Sequence, residues 1–196
     1  ANKYNAVIIA ADAVAPVPNA FAIWQFPSPL AQKEPAFDLL LFDALLTCAD
    51  EQYDIDNGRI MTAGFSAGAI WSTYLVLERA EYLAGALVFS GGIDAKLLFP
   101  YKTPSRKVPV MGSHGGPTDQ FNSLLFFEPM MTTLSQSLAT DGHTMVLCAH
   151  SGGHTITGPI VFGGWDFLFA HSWAESSSPY DAARVTAKLP AGCALQ

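Results

Sequence analysis

Residues 59–80 read RIMTAGFSAGAIWSTYLVLERA. An apolar run leads into Gly64-Phe65-Ser66-Ala67-Gly68, and a longer apolar run with helical character leads out. That is G-x-S-x-G placed between a strand and a helix, the context in which the motif carries chemistry. A turn this sharp forces the serine into strained backbone and leaves it projecting at the head of a helix. Gly64 and Gly68 are expected to leave room for the close approach of strand and helix. The positive end of the helix favours an anion there, and the Ala67 N–H becomes a candidate oxyanion donor.

Outward from this elbow the chain alternates. Upstream, residues 36–52 repeat Phe37, Leu40, Leu41, Ala44, Leu45 and Cys48 at helical spacing, with Glu34 before Pro35 as a start signal. Residues 12–35 hold Pro16, Pro18, Pro27, Pro29 and Pro35, which predicts an irregular loop; Phe21, Trp24 and Phe26 lie in it. Residues 4–11, YNAVIIAA, read as a buried parallel strand. Downstream, strands are expected at 86–92, 108–116 and 143–150, with helices at 128–140 and 159–172. The tail from 175 to 196 is rich in Ser and Pro. Strands alternating with helices imply an α/β fold, a mostly parallel sheet with helices on both faces. Residues 1–196 read as a single domain.

Bulk properties narrow the function. Half of the 196 residues are hydrophobic (50%) and 14% are charged, so a packed core is expected rather than disorder. The net charge of −7 and the lack of a basic stripe argue against nucleic acid as a partner. No apolar run approaches the roughly 18 residues of a membrane span. The opening residues lack a basic leader. Cys48, Cys148 and Cys193 form no C-x-x-C, which gives no reason to expect a metal or other cofactor. Cys193 could bond Cys148 or Cys48 and pin the tail.

A serine hydroxyl needs a general base, and the base needs a group that fixes its tautomer. All five histidines follow Ser66. His154 lies in SGGHT, a glycine loop at a strand's C-terminal end, where ligand chemistry collects in parallel sheets. His150 is its rival, more simply read as a structural histidine. His114 would shape a neighbouring loop, His143 faces the wrong end of the sheet, and His171 sits at the last helix. Asp119, in GGPTDQF, follows one further strand and is the expected acid; Asp94, in GGIDAK, is the runner-up. Trp24, Phe65 and Phe121 are candidate substrate contacts in an apolar acyl or aryl pocket, while Leu124–Phe127 reads mainly as core.

The run FDLLLFDALLTCADEQYDIDNGRIMTAGFSAGA resembles the polyhydroxybutyrate depolymerase and feruloyl esterase group of α/β hydrolases. The resemblance rests on Tyr53, Ile55, Asp56, Arg59 and Ile60 before the elbow, then on PVMGSHGGPTDQF and GHTMVLCAHSGGHT. It implies an α/β-hydrolase fold and a serine esterase with Ser66 as nucleophile, Asp119 as acid and His154 as base. Its implied partner is a small or polymeric ester: feruloyl, acetyl, short-chain or hydroxyalkanoate. The tail, WDFLFAHSW followed by LPAGC, looks like secreted or periplasmic members. Such proteins begin with an earlier strand ending in His-Gly that gives the second oxyanion N–H; this chain reads as lacking those N-terminal strands. A peptidase or thioesterase, or a binding module that has lost catalysis, are the alternatives.

Overall fold

The computed structural model describes residues 5–11, 24, 37–175, 178–180 and 189–196. A five-stranded sheet runs β1 (Met61–Phe65), β2 (Gly85–Phe89), β3 (Val110–His114), β6 (Met145–Ala149) and β7 (Cys193–Leu195) in spatial order. The first four strands are parallel, and β7 is antiparallel to β6. Helix α1 (Phe37–Gln52) precedes β1, α2 (Ala67–Glu78) follows it, α3 (Phe127–Thr140) precedes β6, and α4 (Gly158–Phe169) follows β6. A two-strand hairpin, β4 (Gln120–Phe121) with β5 (Leu125–Phe126), stands between β3 and α3.

Successive residues of a strand point to opposite faces, so a sheet covered on both sides needs apolar residues at every position. Strand β2 meets this with Ala86, Leu87, Val88 and Phe89, all buried. Ala86 and Val88 join Val110 and Met145 under α2 and α3, which contribute Ala69, Ile70, Leu77, Met131, Leu134 and Leu138. Leu87 and Phe89 join Met111, Val146 and Cys148 under α4, which contributes Ile160, Phe167 and Leu168. Burying each large side chain is worth about 1.5–3 kcal/mol, so the two layers together dominate stability. Helices therefore lie on both faces, as the alternation implies. The end of α2 is tied to α1 by the Arg79 guanidinium, which donates to both oxygens of Asp43 at 2.8 and 2.9 Å.

Three expectations need correction. Residues 5–11 form no strand, and Val7, Ile8 and Ile9 are exposed. A β-branched run favours extended backbone, but a strand needs a neighbour to take its N–H and C=O groups. None of the described strands pairs with it: β1, at one edge of the sheet, is bonded only to β2. The tail, read only as Ser- and Pro-rich, contains β7. Three residues are too few to show periodicity, and their place is set by β6 and by the Cys148–Cys193 disulfide. Cys48 is free and exposed. The third concerns Gly68, where an added Cβ would meet nothing within 4 Å. The tight approach is made by the Gly68 carbonyl, which would lie 2.1 Å from a Cβ on Gly64. Only Gly64 is required by it. The proline loop around Trp24, with Phe21, Phe26 and the Glu34-Pro35 helix start, lies outside the described residues.

Candidate active site

Ser66 stands between the last residue of β1 and the first of α2, at φ 56° and ψ −121°. A non-glycine residue rarely adopts that conformation, which costs of the order of 1–3 kcal/mol and persists only where its surroundings hold it. Here the Ser66 N–H donates to the Phe89 carbonyl at 3.0 Å, and its own carbonyl accepts from Ala69 and Ile70 at 2.9 Å. The strand bond and the first helical bonds pin the residue from both sides. Ala67 opens α2, so its N–H has no carbonyl one turn back in the helix.

The histidine arrives from β6. Beyond Ala149 the chain makes an irregular turn through Ser151-Gly152-Gly153, which delivers His154 to the same sheet edge as Ser66. His154 Nδ1 lies 2.7 Å from Asp119 Oδ1, and Nε2 lies 2.9 Å from Ser66 Oγ. With Asp119 ionised, Nδ1 carries the proton and donates it to the carboxylate. Nε2 is then the acceptor for the serine hydroxyl. The His154 side chain is 25% exposed and that of Asp119 fully buried.

A buried carboxylate must have its lone pairs occupied. Asp119 Oδ2 accepts from Ser90 Oγ and from the Gly115 N–H, both at 2.8 Å. Ser90 follows β2 at φ 53°. Gly115 follows β3, and a Cβ there would sit 1.8 Å from the Gly153 carbonyl. The Gly153 N–H donates back to the Gly115 carbonyl at 3.1 Å, so the acid and histidine loops are in direct backbone contact. Neither Ser90 nor Gly115 was singled out from the sequence. The signal available was position: FSGG and SHGG end adjacent parallel strands, on the edge where Ser66 emerges.

Of the other groups weighed, Asp94 is occupied elsewhere. Its Oδ1 accepts from the N–H groups of Lys96 and Leu97 and closes a local turn. His150 Nδ1 accepts from the Gly152 N–H, while its Nε2 is buried and meets no partner among the described residues. His114 Nδ1 accepts from the Gly116 N–H in the acid loop, and burial holds its imidazole below the ordinary histidine range. Phe65 and Phe127 both stack on the His154 ring, each at 4.7 Å between centroids. Trp24 stacks instead on Trp71 of α2, at 5.3 Å. Phe121 packs against the α2–α3 layer. No group of three or more His, Cys, Asp or Glu among the described residues is placed to hold a metal ion.

Residues 41–159, which include Ser66, Asp119 and His154, match the phospholipase/carboxylesterase family of α/β hydrolases. The chain belongs to that family. Among solved structures it is similar to native sOPH, at 20% identity and a TM-score of 0.63 over 81% of this chain and 59% of that one. It is similar also to a thermostable esterase, at 20% identity and a TM-score of 0.55 over 70% of this chain and 38% of that one. The carboxylesterase of Bacillus cereus is 17% identical with a TM-score of 0.53, over 71% of this chain and 65% of that one. At these identities the likeness establishes the α/β-hydrolase fold. The chain spans about three fifths of the length of the sOPH structure it matches, 59%. None of the curated proteins compared matches it. No helix among the described residues is long and apolar enough to cross a membrane.

Proposed function

We propose that this member of the phospholipase/carboxylesterase family hydrolyses carboxylic esters through an acyl-enzyme on Ser66. The observation that carries the proposal is the hydrogen-bonded line from Ser66 Oγ through His154 to the buried Asp119. Ser66 Oγ attacks the ester carbonyl while His154 Nε2 takes the hydroxyl proton. Asp119 holds the other nitrogen protonated and stabilises the imidazolium that results. The tetrahedral oxyanion is met by the Ala67 N–H at the head of α2; one such donor is worth about 3 kcal/mol. As the intermediate collapses, His154 gives its proton to the leaving alcohol. Water then attacks the acyl-enzyme by the same route and frees the acid and Ser66.

The substrate reading comes from the sequence resemblance to polyhydroxybutyrate depolymerases and feruloyl esterases: feruloyl, acetyl, short-chain or hydroxyalkanoate esters. Trp24, Phe65 and Phe121 stand as its candidate apolar contacts. The Cys148–Cys193 disulfide fits an oxidising compartment and supports a secreted or periplasmic location.

The test is a panel of p-nitrophenyl esters from acetyl to feruloyl, run beside peptide and thioester substrates and a fluorophosphonate probe. Ester turnover and labelling of Ser66 are expected, and Ser66→Ala should lose both, with kcat falling by about 10⁶-fold. Ester hydrolysis retained by Ser66→Ala, or a serine inert to the probe, would reject the proposal.

A further inference from the structure

His154 has an aromatic ring from each hydrophobic layer against it. Phe127 lies nearly parallel to the imidazole, at 12° between planes, and Phe65 at 30°. The two arrive from different sides of the sheet. Phe127 opens α3 and belongs to the layer under α2 and α3, whereas Phe65 ends β1 and packs with the layer under α4. Phe127 is 1% exposed, and its N–H donates to the Asp119 carbonyl at 3.0 Å, so its ring is indexed to the residue that orients the histidine.

The face of a phenyl ring carries the negative lobe of its quadrupole and attracts a cation, most strongly where water is excluded. A neutral imidazole gains little from that field. The imidazolium gains more, and in turnover it forms as the serine proton moves to Nε2. The stabilisation is therefore larger in the transition state than in the resting protein, which is the condition for accelerating the chemical step.

We propose that Phe127, assisted by Phe65, is a positioning residue that stabilises the His154 imidazolium through its ring face as well as fixing the plane of the imidazole. The inference rests on the reading of His154 as the base. Other titratable groups on the elements that meet at the ring are Asp119, which bonds it, His114 on β3, His150 after β6 and Glu128 at the start of α3. All are unchanged in the variants below.

The experiment replaces Phe127 with 4-fluoro- and then 3,4,5-trifluorophenylalanine, which preserves ring and packing while draining the face of charge. Expected is a graded loss of kcat/KM on p-nitrophenyl acetate, reaching about five- to tenfold, with KM little changed. The acidic limb of the pH profile should move to lower pH by about half a unit, because the imidazolium gives up its proton more readily. Phe127→Leu should move the limb the same way. A ring that only packs would leave the limb unmoved in the fluorinated series. The His154 ring nitrogens, followed by NMR through the same pH range, read the effect independently of turnover. A titration and a kcat/KM unchanged by the trifluoro residue would overturn the inference. Hydrolysis surviving in Ser66→Ala would remove the catalytic reading instead, so the two failures are distinguishable.

Discussion

Of the histidines that flank strand β6, His143 before it and His154 beyond it are used in opposite ways. His143, before the strand, is buried, with Nδ1 against the Val108 backbone at 3.0 Å from its N–H and 3.1 Å from its carbonyl. Asp141 lies two residues away, but its carboxylate accepts from Tyr101. His154, beyond the other end, has a carboxylate on one nitrogen and a hydroxyl on the other. The imidazole is common to both; the direction of the strands is not. In a parallel sheet every strand ends on the same side, so the loops after β1, β2, β3 and β6 converge and bring Ser66, Ser90, Gly115, Asp119 and His154 together. The opposite side receives chain entering the strands, and there a histidine serves the backbone.

The largest test of that contrast is Asp119→Asn. Ser90 and Gly115 would still donate to the amide oxygen, which turns the NH₂ group toward His154 Nδ1. That selects the tautomer with its proton on Nε2, facing Ser66, and kcat on a p-nitrophenyl ester should fall by about 10⁴-fold with the fold intact. A loss below tenfold would show that Asp119 does not set the tautomer. Ser90→Ala comes next. It removes one of two donors to Oδ2 of a buried carboxylate, a charge-assisted bond worth about 1.5–3 kcal/mol to the folded protein. That bond is made at rest as well as in turnover, so only the loosened aim of Asp119 reaches the rate, and kcat should drop by about three- to tenfold with KM little changed. Equal rates for Ser90→Ala and the parent would place the control of Asp119 with Gly115 alone.

His143→Asn is the smallest and concerns stability. Its amide oxygen can accept from the Val108 N–H as Nδ1 does, and ester turnover should change less than twofold. Burial holds His143, and likewise His171, below the ordinary histidine range. The unfolded chain takes up these protons near pH 6.5, the folded chain only at lower pH. Their contribution is therefore complete above about pH 6.5 and lost as the pH falls below it. Tm should drop between pH 7.5 and 5.5, and less steeply in His143→Asn. A Tm that rises on acidification would contradict the assignment.

Much of this arrangement was legible in the sequence, because what parallel strands dictate is written locally. The G-x-S-x-G turn lies between an apolar strand and a helix, and the glycine loops after two later strands hold Asp119 and His154. The residues that escaped are those whose role depends on contact between distant segments. Ser90 is an unremarked serine in FSGG until Asp119 lies beside it. Phe127 reads as core, and it is core, yet its ring also covers the imidazole. Periodicity failed where a strand depends on its partner: residues 5–11 have the composition of a strand without a ladder, and β7 has a ladder without the composition.

Gly115 gives its N–H to the acid and its C=O to the loop that bears the histidine. With the His150 N–H donating to the His114 carbonyl and His154 bonded to Asp119, Gly115 gears the two loops together, so that a shift in one is carried to the other. Altered substrate preference in this scaffold has to come from segments outside that gear, such as the β4–β5 hairpin that bulges out between Asp119 and Phe127. There, length and side chains can vary while the proton relay keeps its spacing.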